Sequence, residues 1–385
     1  MLCLHAVSKR TYDAPPFVGR VTTNSNRPAP LRDREVLLCS DPSSVQVTGF
    51  RAYLLAQHQD RADGAVFNLP PALSHLSDGD VIKVHPRAGD IRVLYRRASG
   101  SNTLLLTEQC NCACIMCCQP PKAGDDDRTE EVLQTIELIH PATKELGLSG
   151  GEPTLYPDGL LRVIQKAKSY LPMTALHLLS NAREFKHLRF AERLGSIRHP
   201  DLVVGVPIHA DIADLHDWIA QRRGAFDEAI LGLMNLRRCG IRVEVRVVVH
   251  RLNAGRLVPL SRFIGRNLAF CTHIAIMGME VHGWALAQRQ QLWIDPKEYG
   301  SALREAVRHL AFLGLRVSIF NHPLCVLETD MWGFACRSIS DWKVLYLPVC
   351  DTCQVRHRCG GLFATSHGYH SAAITPVRLQ TTAPG

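Results

Sequence analysis

Long hydrophobic runs are missing from this 385-residue sequence. The longest, such as Val203–Ile208 and Val243–Val249, are far shorter than the roughly 20 residues that span a bilayer. The opening stretch MLCLHAVSKR places its basic residues after a very short apolar run, so it does not read as a signal peptide. A membrane partner is therefore not expected, and the cytoplasm is the expected location. Aromatic residues are scarce, at 6%, and no basic run is interleaved with them. The net charge of +8 then reads as a mildly basic surface, and nucleic acid is not expected as a partner. With 46% hydrophobic and 21% charged residues, the chain can bury a sizeable core, which excludes a disordered or low-complexity protein. Its length allows two or three domains.

Cysteine, by contrast, is abundant, with fourteen residues. In a reducing compartment these are buried thiols, metal ligands or redox groups rather than disulfides. Their distribution is uneven. Cys110, Cys112, Cys114, Cys117 and Cys118 crowd one short stretch, and Cys325, Cys336, Cys350, Cys353 and Cys359 a second. Cys3, Cys39, Cys239 and Cys271 are scattered and read as small hydrophobes.

Residues 1 to about 100 are rich in strand and turn signals. LSDGDVIKVHPRAGDIRVLYRR alternates branched apolar residues with turns, the signature of a hairpin or small barrel. From residue 101, strands alternate with helical patterns: TLLLTE, ELGLSGG, ALHLLSN, LVVGVPIH, IRVEVRVVVH, AFCTHIAIMG and LRVSIF are the strands. Six βα units result, which predicts an α/β fold, either a doubly wound sheet or a barrel. In both, the site lies at the C-terminal ends of the strands. Cys110, Gly150, Ser180 and His209 fall at the first four such ends. The expected organisation is a β-rich domain over 1–100, a core over 101–315, a cysteine-rich module over 316–366 and a flexible tail over 367–385.

Cys110, Cys114 and Cys117 have three and then two residues between them. Three thiolates on one loop can hold three irons of a [4Fe–4S] cube and leave the fourth iron open. The same thiols with one distant ligand could instead hold structural zinc, and spacing alone leaves both readings open. The next strand ends in LSGGEPTL, where Gly150 and Gly151 permit close backbone approach to a ligand. Glu152 and the neighbouring carbonyls can accept hydrogen bonds from an ammonium group.

With these two motifs in this order, the chain resembles the radical S-adenosylmethionine (SAM) superfamily. CNCACIMC is similar to that family's cluster loop, with Met116 where an aromatic residue is common, and GGEPTL to the motif that holds the methionine amine of SAM. The resemblance covers about 101–315. It implies a partial (βα)6 TIM-like barrel, a SAM-binding [4Fe–4S] cluster on Cys110, Cys114 and Cys117, and SAM held near Gly150, Gly151, Glu152 and Pro153. It further implies reductive cleavage of SAM to a 5′-deoxyadenosyl radical that takes a hydrogen atom from the substrate. Ser180 and Asn181, ending the third strand, match a position that often contacts SAM. Arg246, in an otherwise apolar strand, is a further candidate, with a SAM carboxylate as its partner.

CDTCQVRHRCGG sets Cys350, Cys353 and Cys359 two and then five residues apart, suiting either Zn–S4 or a fully ligated [4Fe–4S] cluster. The resemblance favours iron, because peptide-modifying radical SAM enzymes often carry an auxiliary cluster with this pattern. Taken with NHPLC and SISDWKVLYLPVC, the sequence is similar to the radical SAM maturases of His-Xaa-Ser repeat peptide systems. That resemblance implies a ribosomally made peptide as substrate, an auxiliary cluster on Cys325, Cys350, Cys353 and Cys359, a low-potential electron donor and a second maturase as partners. Cys336 is left without a role. Two other readings are a radical SAM enzyme acting on a small molecule or RNA, and a zinc-stabilised binding protein.

Overall fold

A computed structural model describes residues 2–39, 47–55, 65–366 and 368–379. Its N-terminal part is a seven-stranded sheet in the order β1-β7-β6-β2-β3-β4-β5. The strands are β1 (His5–Val7), β2 (Phe17–Thr22), β3 (Glu35–Cys39), β4 (Ala52–Leu55), β5 (Val66–Asn68), β6 (Val81–His85) and β7 (Asp90–Tyr95), with the one-turn α1 (Ala29–Arg32) before β3. The hairpin signal is met by β6 and β7, which pair antiparallel around a turn closed by Gly89 at φ 65°. Beyond that hairpin the sheet is mixed, because β2, β3, β4 and β5 pair parallel. A simple hairpin array or small barrel is therefore not what forms. Parallel neighbours are joined over long connections, which local turn signals do not mark.

The second sheet has eight parallel strands in the order β15-β14-β13-β12-β11-β10-β9-β8. They are β8 (Thr103–Leu105), β9 (Glu145–Ser149), β10 (Ala175–Leu179), β11 (Leu202–Pro207), β12 (Arg242–Val249), β13 (His273–Gly278), β14 (Val317–Phe320) and β15 (Ala335–Cys336). The first seven match the strands read from the sequence. The eighth is two residues long and carries no apolar run that could announce it. The longer crossover helices are α2 (Thr129–Leu138), α3 (Pro157–Tyr170), α4 (Leu188–Ser196), α5 (Ala213–Ala220), α6 (Ala225–Arg238), α7 (Leu257–Asn267) and α10 (Gly300–Phe312); the short α8 (Trp284–Ala287) and α9 (Arg289–Leu292) follow β13.

Alternation along each strand explains why these helices all cover one face. In β12, Val243, Val245, Val247 and Val249 are buried in one apolar cluster with Leu233 and Leu236 of α6 and Leu260 of α7. Burying each such valine stabilises the fold by roughly 1.5–3 kcal/mol. Glu244 and Arg246 point to the other face, where Glu244 meets His177 of β10 and His273 of β13. Helices on one side and a polar inner face on the other are the features of an open TIM-like barrel rather than a doubly wound sheet. Among the described residues, no helix is long and apolar enough to cross a membrane.

Of the tail expected over 367–385, residues 368–379 are described and pack on the preceding module, while 367 and 380–385 lie outside the described residues. Val377 donates its N–H to Cys353 Sγ at 3.4 Å, Leu379 to Gln354 Oε1 at 2.6 Å, and Gln354 N–H to the Val377 carbonyl at 3.1 Å. Burial of Ser371 and the lining of a cysteine pocket by Ile374 and Thr375 draw this segment onto the preceding module.

Candidate active site

The loop after β8 carries the first cysteine group, and its ends are tied down electrostatically. Arg128 pairs with Glu108 at 2.5 Å and with Asp126 at 2.8 Å, while Asp126 also accepts the Glu108 N–H at 2.6 Å. The middle of the loop leans on α5. Ala113 N–H donates to the Ala220 carbonyl at 3.1 Å and Ile115 N–H to that of Ile219 at 3.0 Å. Ile115 and Met116 are buried against Ile219, Ala285 and Leu292, so Met116 fills an apolar pocket. On the far side, Trp284 N–H donates to the Cys117 carbonyl at 2.9 Å. Gly283, at φ 57°, permits this approach: a Cβ there would lie 2.8 Å from that carbonyl oxygen.

This support brings Cys110, Cys114 and Cys117 together. The thiols bearing on Cys114 are those of Cys112, Cys110 and Cys117. Burial pushes the Cys110 thiol up to about 12 and raises Cys117 as well. They therefore stay protonated at neutral pH unless a metal takes the place of the protons. Cys118 points elsewhere, toward Glu280 and Lys343.

The glycine motif at the end of β9 packs directly on the approach to this loop. Gly151 N–H donates to the Thr107 carbonyl at 2.9 Å and Glu152 N–H to that of Gln109 at 2.7 Å. A Cβ on Gly150 would sit 2.4 Å from the Thr107 oxygen, and one on Gly151 2.0 Å from the Gln109 oxygen. The glycines thus allow close approach to the protein's own cysteine loop, a purpose that spacing alone could not distinguish from approach to a ligand. Pro153 begins the short turn that follows and is buried.

Glu152 is fully buried and already engaged. Its Oε1 accepts from the Thr154 N–H at 3.0 Å, the Thr154 hydroxyl at 2.6 Å and the Ser180 hydroxyl at 2.8 Å; its Oε2 accepts from the Asn181 N–H at 2.6 Å. Burial raises its carboxyl above the usual range while these donors hold it down. The side chain therefore braces the ends of β9 and β10, while the Glu152 and Pro153 carbonyls accept from the Leu155 N–H at 3.2 Å and the Tyr156 N–H at 3.4 Å. Asn181 continues the chain of contacts, donating from Nδ2 to Asn111 Oδ1 at 2.7 Å. Arg246 lies on the same inner face but is paired, Nη1 to Glu244 Oε1 at 2.6 Å. His209, just after β11, is buried and packs its ring against His216 with centroids 4.9 Å apart.

In the C-terminal module, Cys325, Cys350, Cys353 and Cys359 line a single pocket with Tyr346 and Val355. Leu324 N–H donates to Cys359 Sγ at 3.4 Å, and Val377 N–H to Cys353 Sγ as described. Gly361, at φ 72°, turns the chain back beneath them. Cys336 is exposed on β15 and lies outside the pocket. Among the described residues, no three Cys, His, Asp or Glu side chains converge as donors to one metal ion must. All-sulfur donor sets, three in one group and four in the other, fit iron–sulfur clusters.

Residues 104–264 match the family model described as the radical SAM superfamily. No curated protein matches. Among solved structures, Streptococcus suis SuiB bound to S-adenosylmethionine aligns over 56% of this chain and 49% of its own, at 14% identity and a TM-score of 0.45. The chain thus spans about half the length of SuiB. anSMEcpe with bound AdoMet aligns over 56% of this chain and 60% of its own, at 14% identity and a TM-score of 0.46. A radical SAM methyltransferase from Sphaerobacter thermophilus aligns over 62% and 72%, at 16% identity and a TM-score of 0.46.

Proposed function

We propose that this enzyme, whose residues 104–264 form a radical SAM superfamily domain, modifies a ribosomally made peptide of the His-Xaa-Ser repeat class. Cys110, Cys114 and Cys117 would hold the catalytic [4Fe–4S] cluster. The backbone at Gly150, Gly151, Glu152 and Pro153 would receive the SAM amine, with Ser180 and Asn181 bordering it and Arg246 facing its carboxylate. Cluster and SAM, when bound, supply a hydrogen-atom abstractor strong enough for unactivated carbon. The protein's share is positioning and exclusion of water. Ile115 and Met116 seal one side of the loop, and the Glu152 contacts keep the two motifs in register.

The observation that carries the peptide reading is the pocket shared by Cys325, Cys350, Cys353 and Cys359. Four thiols in one pocket, two of which (Cys353 and Cys359) accept backbone N–H groups, suit a fully ligated auxiliary cluster, a feature the resemblance ties to peptide modification. We divide the chain accordingly at about residues 100, 315 and 366. In the N-terminal domain, β1 is an edge strand with Val7 exposed at 59%, suited to docking a peptide by strand addition. A low-potential electron donor and a second maturase complete the system, in the cytoplasm. Co-expression with a short His/Ser-repeat peptide tests this reading. A mass change in the peptide that disappears with the Cys110/Cys114/Cys117→Ala variant supports it; an unaltered peptide overturns it.

A further inference from the structure

Five cysteines within one short loop pose a problem of register, since three thiols must be chosen and two refused. Cys112 is the serious competitor. It lies between Cys110 and Cys114, within hydrogen-bonding reach of the Cys114 thiol, and its own N–H donates to Cys110 Sγ at 3.4 Å. A thiol placed there could take the iron site that a three-cysteine loop leaves open.

Two side chains from the end of β10 hold it. Arg183 Nη1 and Asn181 Nδ2 each lie 3.7 Å from Cys112 Sγ, within range for a sulfur acceptor. The same Nη1 donates to the Asn111 carbonyl at 2.8 Å, so one guanidinium grips the backbone and thiol of adjacent residues. Arg183 is only 4% exposed, and its Nε is fixed by Glu228 Oε2 at 2.6 Å, a carboxylate that Lys186 also binds at 2.5 Å. Glu184 secures the other side of Asn111, accepting from its Nδ2 at 3.1 Å. The turn carrying Arg183 is itself pinned. Ala182 sits at φ 60°, and Gly232 of α6 packs so closely that a Cβ there would lie 2.2 Å from the Ala182 carbonyl oxygen. The Cys112 side chain meanwhile packs against Ala220 and Ala225.

A buried cation is costly unless its partners are well placed. Here those partners are Glu228 and the segment Asn111–Cys112. We propose that Arg183 is a positioning residue that sets the ligand register of the cysteine loop: it retains Cys112, so that Cys110, Cys114 and Cys117 alone meet the cluster and its fourth iron stays open. This inference rests on the reading of those three cysteines as cluster ligands.

The test uses the full-length protein, reconstituted with iron and sulfide under anaerobic conditions and reduced, with electron paramagnetic resonance recorded before and after addition of SAM. The wild type gives one cluster signal from the loop that SAM alters. Arg183→Met is expected to bind comparable iron but to convert the major part of that signal to a form indifferent to SAM, and Arg183→Met/Cys112→Ser to recover the response. An Arg183→Met protein that responds to SAM like the wild type overturns the proposal, and so does a double variant that remains as unresponsive as the single one. If Arg183→Met does not fold, Arg183→Gln keeps a donor for the Asn111 carbonyl without the charge and is read by the same two outcomes. A wild-type protein that binds no iron at all would instead overturn the underlying cluster assignment, and this inference with it.

Discussion

At the scale of single residues, Glu152 shows how a motif read for its chemistry also serves as a brace. Removing its carboxylate strands the N–H groups of Thr154 and Asn181 and two buried hydroxyls. Each unsatisfied buried group costs about 1–3 kcal/mol, so Glu152→Ala is expected to lower unfolding stability by about 3 kcal/mol or more in denaturant titration. Glu152→Gln, which retains an acceptor, should lose less. Equal losses in the two variants would show that the contacts do not matter. The cysteines and glycines of the site were legible in the sequence because ligand spacing is a local, covalent property. The partners of those glycines, Thr107 and Gln109, were not, because close approach between the loop and β9 exists only once the strands are paired. Arg183 was hidden for the same reason: 71 residues separate it from Cys112 in sequence, and nothing near it in the chain signals the contact.

At the scale of elements, the strands of the larger sheet were readable from their apolar runs, while the eight-residue α5 was not. Its exposed Trp218, and the exposed Ile212 just before it, blur the apolar stripe that marks a helix. Yet α5 supports the cysteine loop and supplies His216, whose Nδ1 accepts the His209 N–H at 3.1 Å. Burial holds His216, His250 and His322 down to about 4. His322 accepts from the Tyr299 hydroxyl at 2.7 Å and donates from Nδ1 to the Phe320 carbonyl at 2.8 Å, an arrangement of the neutral ring. Among the described residues, neither ring nitrogen of His250 has a hydrogen-bond partner. Above the ordinary histidine value both folded and unfolded chains are neutral and no penalty exists. As pH falls below about 6.5, the unfolded chain takes up protons that the folded one refuses, so stability declines until about pH 4, by about 3 kcal/mol per histidine. Unfolding free energies measured across that window should fall with pH, and by about 3 kcal/mol less in a His216→Phe variant, because His250 and His322 still contribute. A pH-independent stability would contradict the burial of these rings.

At the scale of the whole molecule, the C-terminal module is fastened to both other parts. Asp341 accepts from Arg96 at 2.8 Å and from Ser99 at 2.7 Å on the N-terminal side, and Lys343 pairs with Glu280 after β13 at 2.7 Å. These contacts, and the folding of residues 371–379 onto the cysteine pocket, lie beyond what periodicity or composition can reveal. Iron analysis checks the ligand set proposed for the second cysteine group. Cys350→Ser should lower the iron content by about four per chain, whereas Cys336→Ser should leave it unchanged. Loss of iron in both variants would mean that Cys336 belongs to the set. The central claim is that the cysteine loop and the glycine motif together form a SAM-cleaving site, and it is tested most directly by incubating the anaerobically reconstituted protein with dithionite and SAM. Release of 5′-deoxyadenosine by the wild type, and none by the Cys110/Cys114/Cys117→Ala variant, is the predicted result. Equal release by both, or release by neither from protein loaded with iron, would contradict it.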